Sequence, residues 1–155
     1  ELSGRYFIPH VVEPSFGVDR ILYSTLEYAF SEKKNRTLLQ LPRDIAPINI
    51  LILPLVSKDG LPEFAKTIYD LLIEEGFFVE YDDTGSIGRR YARADEIGIP
   101  LCCTIDYNSL EDETVTLRDI KTWKQVRTKV KNLSNNLKRY LEKSIDFDEL
   151  GIKLN

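Results

Sequence analysis

Hydrophobic positions in the middle of the chain alternate between continuous apolar runs and stripes at helical spacing. The first run is nearly all aliphatic, as a strand covered on both faces should be. The stripes that separate the runs recur every three or four residues, which predicts amphipathic helices. This pattern predicts strands over residues 48–55, 77–82 and 100–107 and helices over residues 62–75 and 86–97. Two right-handed β-α-β crossovers would place the three strands in one parallel sheet.

The N-terminal part of the chain follows a different pattern. Residues 5–13 indicate an extended segment, which ends at Pro14. Gly17 allows a tight turn, and residues 18–30 indicate a helix. The apolar stripe of this helix consists of Ile21, Leu22, Leu26 and Phe30. Residues 31–47 are charged and contain two prolines, so we expect an irregular connector there.

Near the C-terminus the pattern predicts one strand and one helix. Residues 113–118 alternate between polar and apolar types, as an edge strand with one wet face would. Residues 121–143 carry a long apolar stripe and predict a single helix. Residues 118–143 contain nine basic and two acidic side chains, a local balance of +7. A solvated face usually carries both signs, so this excess favours an anionic partner, with a plain soluble helix as the alternative.

Composition narrows the class of protein. A length of 155 residues and an apolar fraction of 43% suit one domain, or a domain with an attached fragment. The net charge of -4 excludes a generally basic nucleic-acid coat but leaves local patches open. Cys102 and Cys103 are neighbours on a predicted strand and point to opposite faces, which predicts buried reduced thiols rather than a disulfide or metal pair. The chain has no methionine, which indicates a piece of a longer protein, and no apolar run that approaches a membrane span.

Three arginines lie on the helix predicted over residues 86–97. Arg89 and Arg93 are four residues apart and share one side of the helix, with Arg90 beside them. Two carboxylates, Asp82 and Asp83, precede the helix at the end of a strand. Arginine forks fit phosphate and carboxylates accept from exocyclic amines, so the group would suit a polyanion with hydrogen-bonding bases. A solvated face balanced by nearby carboxylates is the alternative, and charge alone does not separate the two.

Two parts of the chain resemble a known family. Residues 13–20, Glu-Pro-Ser-Phe-Gly-Val-Asp-Arg, resemble the third signature motif of class II aminoacyl-tRNA synthetases, in the form used by glycyl-tRNA synthetases of the archaeal and eukaryotic type. Residues 85–98 and 104–106 resemble the anticodon-binding domain of the same enzymes, and residues 115–119 extend the match. The order and spacing of these stretches also agree. The resemblance covers nearly everything between residue 9 and about residue 130.

The resemblance implies a fold and a division of the chain. We expect an α/β protein with the three-layer fold of these anticodon-binding domains, in which a mixed, mainly parallel sheet of four to five strands is flanked by helices. A strand and a helix left from the class II catalytic domain would precede it. Residues 1–31 would then be the motif-3 remnant, residues 32–47 a linker, and residues 48–155 the anticodon-binding domain.

The activity of the family implies substrates and partners. These enzymes join glycine to tRNA(Gly) with ATP and Mg2+, so the parent protein is expected to be a cytoplasmic homodimer that binds tRNA and no membrane. Glu13, Pro14 and Ser15 would hold glycine, and Arg20 would hold a phosphate of ATP. The fragment alone is expected to be inactive, because the other walls of the active site would lie in the chain before Glu1. No catalytic residue and no metal ligand is assigned within the 155-residue fragment.

The resemblance also implies how the anticodon would be recognised. Glycine anticodons end in two cytosines, whose exocyclic amines call for acceptors. Asp83 and Glu96 are the predicted cytosine readers, with Asp82 and Asp106 as further candidates. The predicted RNA contacts on the arginine helix are Arg89, Arg90 and Arg93. The tyrosines that could stack on splayed bases are Tyr81, Tyr91 and Tyr107.

Two other functions stay open on the sequence. One is a synthetase-like nucleic-acid-binding module without catalysis, such as a polymerase accessory subunit or a translation regulator. In that case the motif around Glu13, Ser15 and Arg20 would be expected to decay, yet all three residues are present. The other is a small α/β domain that binds a nucleotide at the turn over residues 84–86 and the following helix N-terminus. The phosphate-binding pattern Gly-x-x-x-x-Gly-Lys does not occur in the sequence.

Overall fold

The N-terminal segment contains the expected helix. The structure, a computed structural model, describes Gly4 and residues 6–154, so Arg5, where the predicted extended segment begins, lies outside the described residues. Residues 6–17, all of which are described, form neither helix nor strand. The strand of the expected strand-helix remnant is therefore not formed over these residues. The helix is α1 (Val18–Ala29), one residue shorter than predicted.

The apolar stripe of α1 faces solvent instead of a core. Ile21, Leu22 and Leu26 are 54%, 57% and 41% exposed, whereas Ala29 at the end of the helix is buried. α1 runs without a spacer into β1 (Phe30–Lys33), so Phe30 belongs to a strand and not to the helix. The pattern of the helix is therefore suited to a packing surface that the described residues do not supply.

An ordered hairpin replaces the expected irregular connector. β1 pairs in antiparallel fashion with β2 (Arg36–Leu39). The two residues between the strands, Lys34 and Asn35, have φ angles of 49° and 59°. These left-handed values are the ones that a tight two-residue hairpin requires. The prediction over residues 31–47 was wrong because its prolines follow the hairpin and do not lie within it.

The central sheet contains six strands in the described part of the chain, where four to five were expected. Its strands are β3 (Ile50–Pro54), β4 (Val79–Tyr81), β5 (Leu101–Ile105), β6 (Thr114–Asp119), β7 (Gln125–Lys129) and β8 (Ile152–Leu154). They follow the order β4-β3-β5-β6-β7-β8. β3 pairs in parallel with β4 and β5, and the remaining pairs are antiparallel. The sheet is therefore mixed, as expected, but not mainly parallel.

Helices cover both faces of the sheet, which confirms the expected three-layer α/β arrangement. They are α2 (Leu61–Glu74), α3 (Ile87–Ile97), α4 (Tyr107–Asp112) and α5 (Val130–Leu141). Ile68 of α2 and Leu137 of α5 belong to the core cluster on one face. Ala94 of α3 packs with Leu51 and Leu53 in the cluster on the other face. No helix within the described ranges is long and apolar enough to cross a membrane.

β6 lies in the middle of the sheet, which corrects its prediction as an edge strand. All of its residues are buried. Its polar positions have partners, because Arg127 donates to Thr114 and Thr116. Arg118 forms a bidentate ion pair with Asp95 at 2.8 and 3.1 Å. The alternation that indicated a wet face therefore reflects a buried polar face whose hydrogen bonds are satisfied.

A strand interrupts the single helix that was expected over residues 121–143. β7 occupies the middle of this range and pairs with both β6 and β8, and α5 begins only at Val130. Val126 and Thr128 are buried at alternate positions, as a strand requires. Trp123 has a φ of 62°, which breaks any helix before β7.

The two cysteines on β5 are buried and unpaired, as predicted. Cys103 belongs to the core cluster on one face of the sheet and Cys102 to the cluster on the other. Burial raises the pKa of the Cys102 thiol to about 12, although the neighbouring Arg118 guanidinium acts in the opposite direction. Burial also raises the pKa of Cys103. Both side chains are therefore neutral core residues.

Candidate nucleic-acid interface

The candidate site lies at the edge of the sheet where β3, β4 and β5 end. Parallel strands leave their carboxyl ends at one edge, and ligands of α/β proteins bind in the crevices there. Residues 82–86 cross this edge from β4 to α3. α3 begins after Ser86, so its first turns, which carry Arg89 and Arg90, lie beside the strand ends.

Arg90 points into the protein and joins the ends of two strands to α3. Its side chain is 2% exposed. It donates to the carbonyl oxygens of Pro54 at 2.5 Å, Leu55 at 3.2 Å and Asp82 at 3.2 Å. A guanidinium that is buried among backbone acceptors is not accessible to RNA. The structure therefore corrects the prediction of Arg90 as an anticodon contact and gives it a structural role.

Hydrogen bonds hold the loop between β4 and α3. The Asp82 carboxylate accepts from the Thr84 amide at 2.9 Å and from Nε of Arg93 at 3.0 Å. Arg93 also donates to the Thr84 carbonyl at 2.6 Å. Partial burial acts to raise the pKa of Asp82, but the Thr84 amide and the Arg93 guanidinium outweigh it and keep the pKa below its ordinary value. Asp82 thus anchors the loop, and its carboxylate is not free to read a base.

The two arginines that were predicted to contact phosphate differ in how far they are already engaged. Arg89 is exposed, and its guanidinium makes no hydrogen bond or ion pair with another described side chain or carbonyl, although its backbone amide donates to the Ser86 carbonyl at 3.0 Å. Arg93 is 44% exposed, but its guanidinium is paired with Asp82. Arg89 is therefore the freer of the two, and Arg93 offers only the part of its fork that Asp82 and Thr84 leave open.

The two predicted cytosine readers lie in different depressions of the surface. Asp83 is exposed and lines a cavity of about 590 Å³ between α2 and β4. Glu96 is exposed and lines a groove of about 430 Å³ between α3 and β4. The structure therefore does not bring the two carboxylates together at one base.

The cavity beside Asp83 contains residues that were not predicted from the sequence. Its lining consists of Pro62, Glu63, Lys66, Tyr69, Tyr81 and Asp83, and we call it the α2–β4 cavity. Lys66 and Tyr69 are three residues apart and so share one face of α2. This pairing of a cation with an aromatic ring on one helix face is the only feature of the sequence that could have indicated the cavity. Nothing local in the sequence shows that β4 lies opposite them.

Asp106 has a structural role at the end of β5. Its carboxylate caps α4 by accepting from the Ser109 amide at 3.1 Å, and it pairs with Arg127 at 2.8 Å. The hydrogen bonds from Arg127 outweigh the effect of burial and keep the pKa of Asp106 below its ordinary value. Asp106, like Asp82, is thereby removed from the candidate cytosine readers.

Two of the three tyrosines predicted as stacking platforms are accessible. Tyr81 is half-buried in the wall of the α2–β4 cavity. Tyr107 is 45% exposed and donates to Asp59 at 2.7 Å. Tyr91 instead packs against a core cluster, with its hydroxyl 2.6 Å from Oγ1 of Thr104. Tyr91 is therefore half-buried beside that cluster, and its hydroxyl is already engaged by Thr104.

The residues of the N-terminal motif lie on an open surface. Glu13, Pro14 and Ser15 are exposed and stand outside any helix or strand. Ser15 and Arg20 line a groove of about 670 Å³ beside α1, together with residues that follow β2. Glu13 does not contribute to that lining. In the portion of the chain that the structure describes, no group of three His, Cys, Asp or Glu residues could hold a metal ion.

Partners from elsewhere in the chain balance much of the basic excess in residues 118–143. Arg118 and Arg127 pair inside the domain with Asp95 and Asp106. The ion pairs at the surface are Lys124–Asp148, Lys138–Glu75 and Lys143–Asp44. The local balance of +7 therefore does not correspond to a phosphate-binding face of that size.

Several known proteins are similar to this chain. A family model described as an anticodon binding domain matches residues 49–140. A glycine–tRNA ligase of Aeropyrum pernix is 55% identical over 152 residues, which cover 97% of this chain and 26% of that protein. A glycine–tRNA ligase of Methanocaldococcus jannaschii is 51% identical over 141 residues, which cover 91% of this chain and 24% of that protein. The chain thus spans about a quarter of the length of these curated relatives.

The likeness in fold extends to a more distant synthetase. A crystal structure of prolyl-tRNA synthetase from Cryptosporidium parvum, complexed with L-proline and AMP, matches with a TM-score of 0.63 at 20% sequence identity. The match covers 68% of this chain and 23% of that one. At this level of identity the likeness supports the fold alone.

Proposed function

The chain belongs to the anticodon-binding domain family, and on that premise we propose that it recognises the anticodon of tRNA(Gly) as the C-terminal part of a glycine–tRNA ligase. The observation that carries the proposal is the edge of the sheet at which Arg89 is free for phosphate and Asp83 stands on a loop held by hydrogen bonds. The two curated relatives named above are glycine–tRNA ligases, which supports glycine as the amino acid.

Different residues would bind the phosphates and the bases of the anticodon loop. Arg89 would take a backbone phosphate, for which a guanidinium fork is suited, and Arg93 would add the part of its fork that remains open. Asp83 would accept from the exocyclic amine of one cytosine, and Glu96, in its own groove, is the candidate for the other. Tyr81 and Tyr107 would offer ring surface to splayed bases.

The ligase activity would belong to the longer parent protein, which we propose is a cytoplasmic homodimer. Glu13, Pro14 and Ser15 would contribute to glycine binding. The Arg20 guanidinium, at the groove beside α1, fits a phosphate of ATP. In that parent protein ATP, bound with Mg2+, would activate the glycine carboxylate, and none of the described residues is assigned to the metal.

We expect the isolated 155-residue chain to form no glycyl-adenylate. The motif residues are exposed, and the groove beside α1 is open. Positioning of the reactants and electrostatic stabilisation in a water-excluded site supply most of the catalysis in such chemistry. ATP–pyrophosphate exchange with glycine should therefore be absent for the purified chain. Measurable exchange would show that this chain is sufficient for the activation of glycine.

Fluorescence anisotropy with a labelled anticodon stem-loop of tRNA(Gly) tests RNA recognition. We expect weak binding at about 50 mM salt that decreases as the salt concentration rises, because phosphate contacts release counterions. A stem-loop with the same stem, in which uracil replaces both anticodon cytosines, is the matched control and should bind less tightly. Equal binding of the two RNAs, or binding of neither, would contradict the proposed function.

A further inference from the structure

We propose that the α2–β4 cavity holds one unstacked cytosine of the bound anticodon loop. This inference rests on the proposed function and adds the place at which a single base would be read. The cavity has a volume of about 590 Å³ and includes Asp83, the carboxylate that the β4–α3 loop presents. Bases of single-stranded loops are recognised where aromatic faces and hydrogen-bonding groups converge, and the cavity combines both.

Two aromatic rings form part of the cavity wall. Tyr69 comes from α2 and Tyr81 is the last residue of β4, and both are half-buried. Pro62, in the first turn of α2, adds a further apolar contact. Nucleobases stack on tyrosine rings when proteins bind single-stranded RNA. The wall therefore offers the flat apolar surface that a splayed base requires.

The polar groups of the cavity suit the pairing edge of cytosine. Cytosine presents an exocyclic amine beside two acceptors, and the carboxylates of Asp83 and Glu63 can accept from the amine. The Lys66 ammonium, which has donors only, can serve an acceptor of the base. Uracil places an oxygen where cytosine has its amine, so it would set one acceptor against another. The charges of the cavity therefore favour cytosine over uracil.

The backbone around Asp83 is held, whereas its carboxylate stays available. Ser57 Oγ donates to the Asp83 carbonyl at 3.3 Å, and the neighbouring Asp82 is bonded to Arg90 and to the Thr84 amide. The Asp83 carboxylate accepts one long hydrogen bond of 3.5 Å from the Tyr81 hydroxyl and has no ion pair within the described residues. An acceptor that is positioned in advance and weakly engaged can bind a base at little ordering cost.

Glu96 provides a matched comparison for Asp83. It is also an exposed carboxylate near β4, but its groove has a different lining, with one aromatic residue, Tyr81, among aliphatic side chains and the charged residues Glu80, Asp82 and Arg93. Glu96→Gln therefore removes the same charge as Asp83→Asn without changing the α2–β4 cavity. Both carboxylates are exposed, so neither substitution should disturb the fold.

Anisotropy titrations of the 155-residue chain with three stem-loops test the inference. One carries both anticodon cytosines, and each of the other two has uracil at one of these positions. The unsubstituted chain should bind each uracil-containing loop about 10-fold or more weakly. Asp83→Asn should lose the preference for cytosine at one of the two anticodon positions and keep it at the other. At the position where Asp83→Asn loses this preference, Glu96→Gln should keep it. Tyr69→Leu should weaken binding of the cytosine loop by roughly 10-fold through lost stacking.

The outcomes separate the inference from the proposed function. If the unsubstituted chain binds and discriminates but Asp83→Asn discriminates equally well at both positions, the cavity does not read the base and the proposed function stands. If Glu96→Gln loses the same position as Asp83→Asn, the assignment to this cavity is wrong. If the unsubstituted chain shows no preference for cytosine, both proposals fail. Thermal unfolding of each variant, measured in the same buffer, verifies that it is folded.

Discussion

Three arginines on one helix differ in what their surroundings leave them free to do. Arg89 is exposed, Arg90 is buried among backbone carbonyls, and Arg93 shares its guanidinium with Asp82. A guanidinium can bind phosphate only with the donors that the protein has not already used. The three residues should therefore respond differently to the same substitution.

Replacing Arg89 with alanine should remove one phosphate contact and leave the fold intact. Binding of the anticodon stem-loop should weaken, and the slope of log affinity against log salt should decrease by about 0.7, the value for one contact to a single strand. The free energy of unfolding should change by less than about 0.5 kcal/mol, because the side chain is exposed. Anisotropy titrations at several salt concentrations and urea unfolding measure the two effects.

Arg139→Ala is the matched control for this prediction. Arg139 is exposed on α5 next to Tyr140, whose hydroxyl lies 3.5 Å from Asp119. Asp119 ends β6 beside the start of β5, so it lies at the end of the sheet away from the candidate site. Its removal should leave the salt slope unchanged. Arg90→Ala should instead lower the free energy of unfolding by roughly 2–4 kcal/mol, since buried carbonyl oxygens lose their donor. Equal decreases in slope for Arg89→Ala and Arg139→Ala would contradict the phosphate assignment.

For individual residues, the sequence identifies the arginines but not the role of each one. Spacing alone places Arg89 and Arg93 on one face, and the structure agrees that they share a helix. The acceptors that bury Arg90 belong to Pro54 and Leu55, which are 36 and 35 residues away in the chain. The carbonyls of a strand end carry no sequence signature, so this partnership could not be predicted.

Among the elements, the hairpin of β1 and β2 departs furthest from the sequence prediction, because it lies where an irregular connector was expected. β2 packs against α3, and Arg36 lies 3.8 Å from the Asp95 carboxylate on that helix. Lys33 donates to the Lys121 carbonyl at 2.8 Å and lies 4.5 Å from the centre of the Trp123 ring. The hairpin is therefore attached to the same helix that carries the candidate phosphate contacts.

Gly98, at the end of α3, allows the close approach of the hairpin. Its φ is 81°, and a Cβ added there would lie 2.8 Å from the Leu39 carbonyl oxygen. Gly98→Ala should lower the free energy of unfolding by ~2–5 kcal/mol, because left-handed strain and a backbone clash add together. Gly85 has the same φ of 81° but open space around its Cβ position.

Gly85→Ala is thus the control for Gly98→Ala and should cost only the strain, about 1–2 kcal/mol. Urea unfolding of the two variants separates the effect of the clash from that of backbone conformation. Equal losses of stability would show that the hairpin moves away from α3 at little cost.

Elements that depend on local pattern were predicted well, and elements that depend on distant partners were not. α1, α2 and α3 begin and end within one residue of the prediction, because their stripes and caps lie within the elements themselves. β6 was wrongly placed at an edge because its buried threonines and Arg118 are satisfied by Arg127 and Asp95. β7 was hidden in a predicted helix because its identity as a strand comes from pairing with β6.

In the whole molecule, the buried residues indicate where the independently folding unit begins. Leu38, Leu41 and Ala46 are 0%, 8% and 7% exposed, so the segment expected to be a linker contributes to the core. The helix that precedes the hairpin contributes one buried residue, Ala29. The predicted boundaries at residues 31 and 47 can be tested by truncation.

A chain that starts at Phe30 should unfold with nearly the stability of the full chain. A chain that starts at Ile48 should still fold, since the six-stranded sheet remains, but should lose about 3 kcal/mol or more from the two leucines alone. Thermal and urea unfolding of the two truncated chains, followed by circular dichroism, provide the comparison. Equal stability of the two would mean that residues 30–47 are a linker after all.

The two outer strands of the sheet are its shortest. β4 and β8, which form the two edges in the described structure, each have three residues, whereas the inner strands have five or six. An edge presents unpaired amide and carbonyl groups, and a long flat edge is a template on which other chains aggregate. With edges this short, few such groups are open to a second chain. The sheet whose strand ends carry the candidate interface thus also has outer strands too short to serve as a template for aggregation.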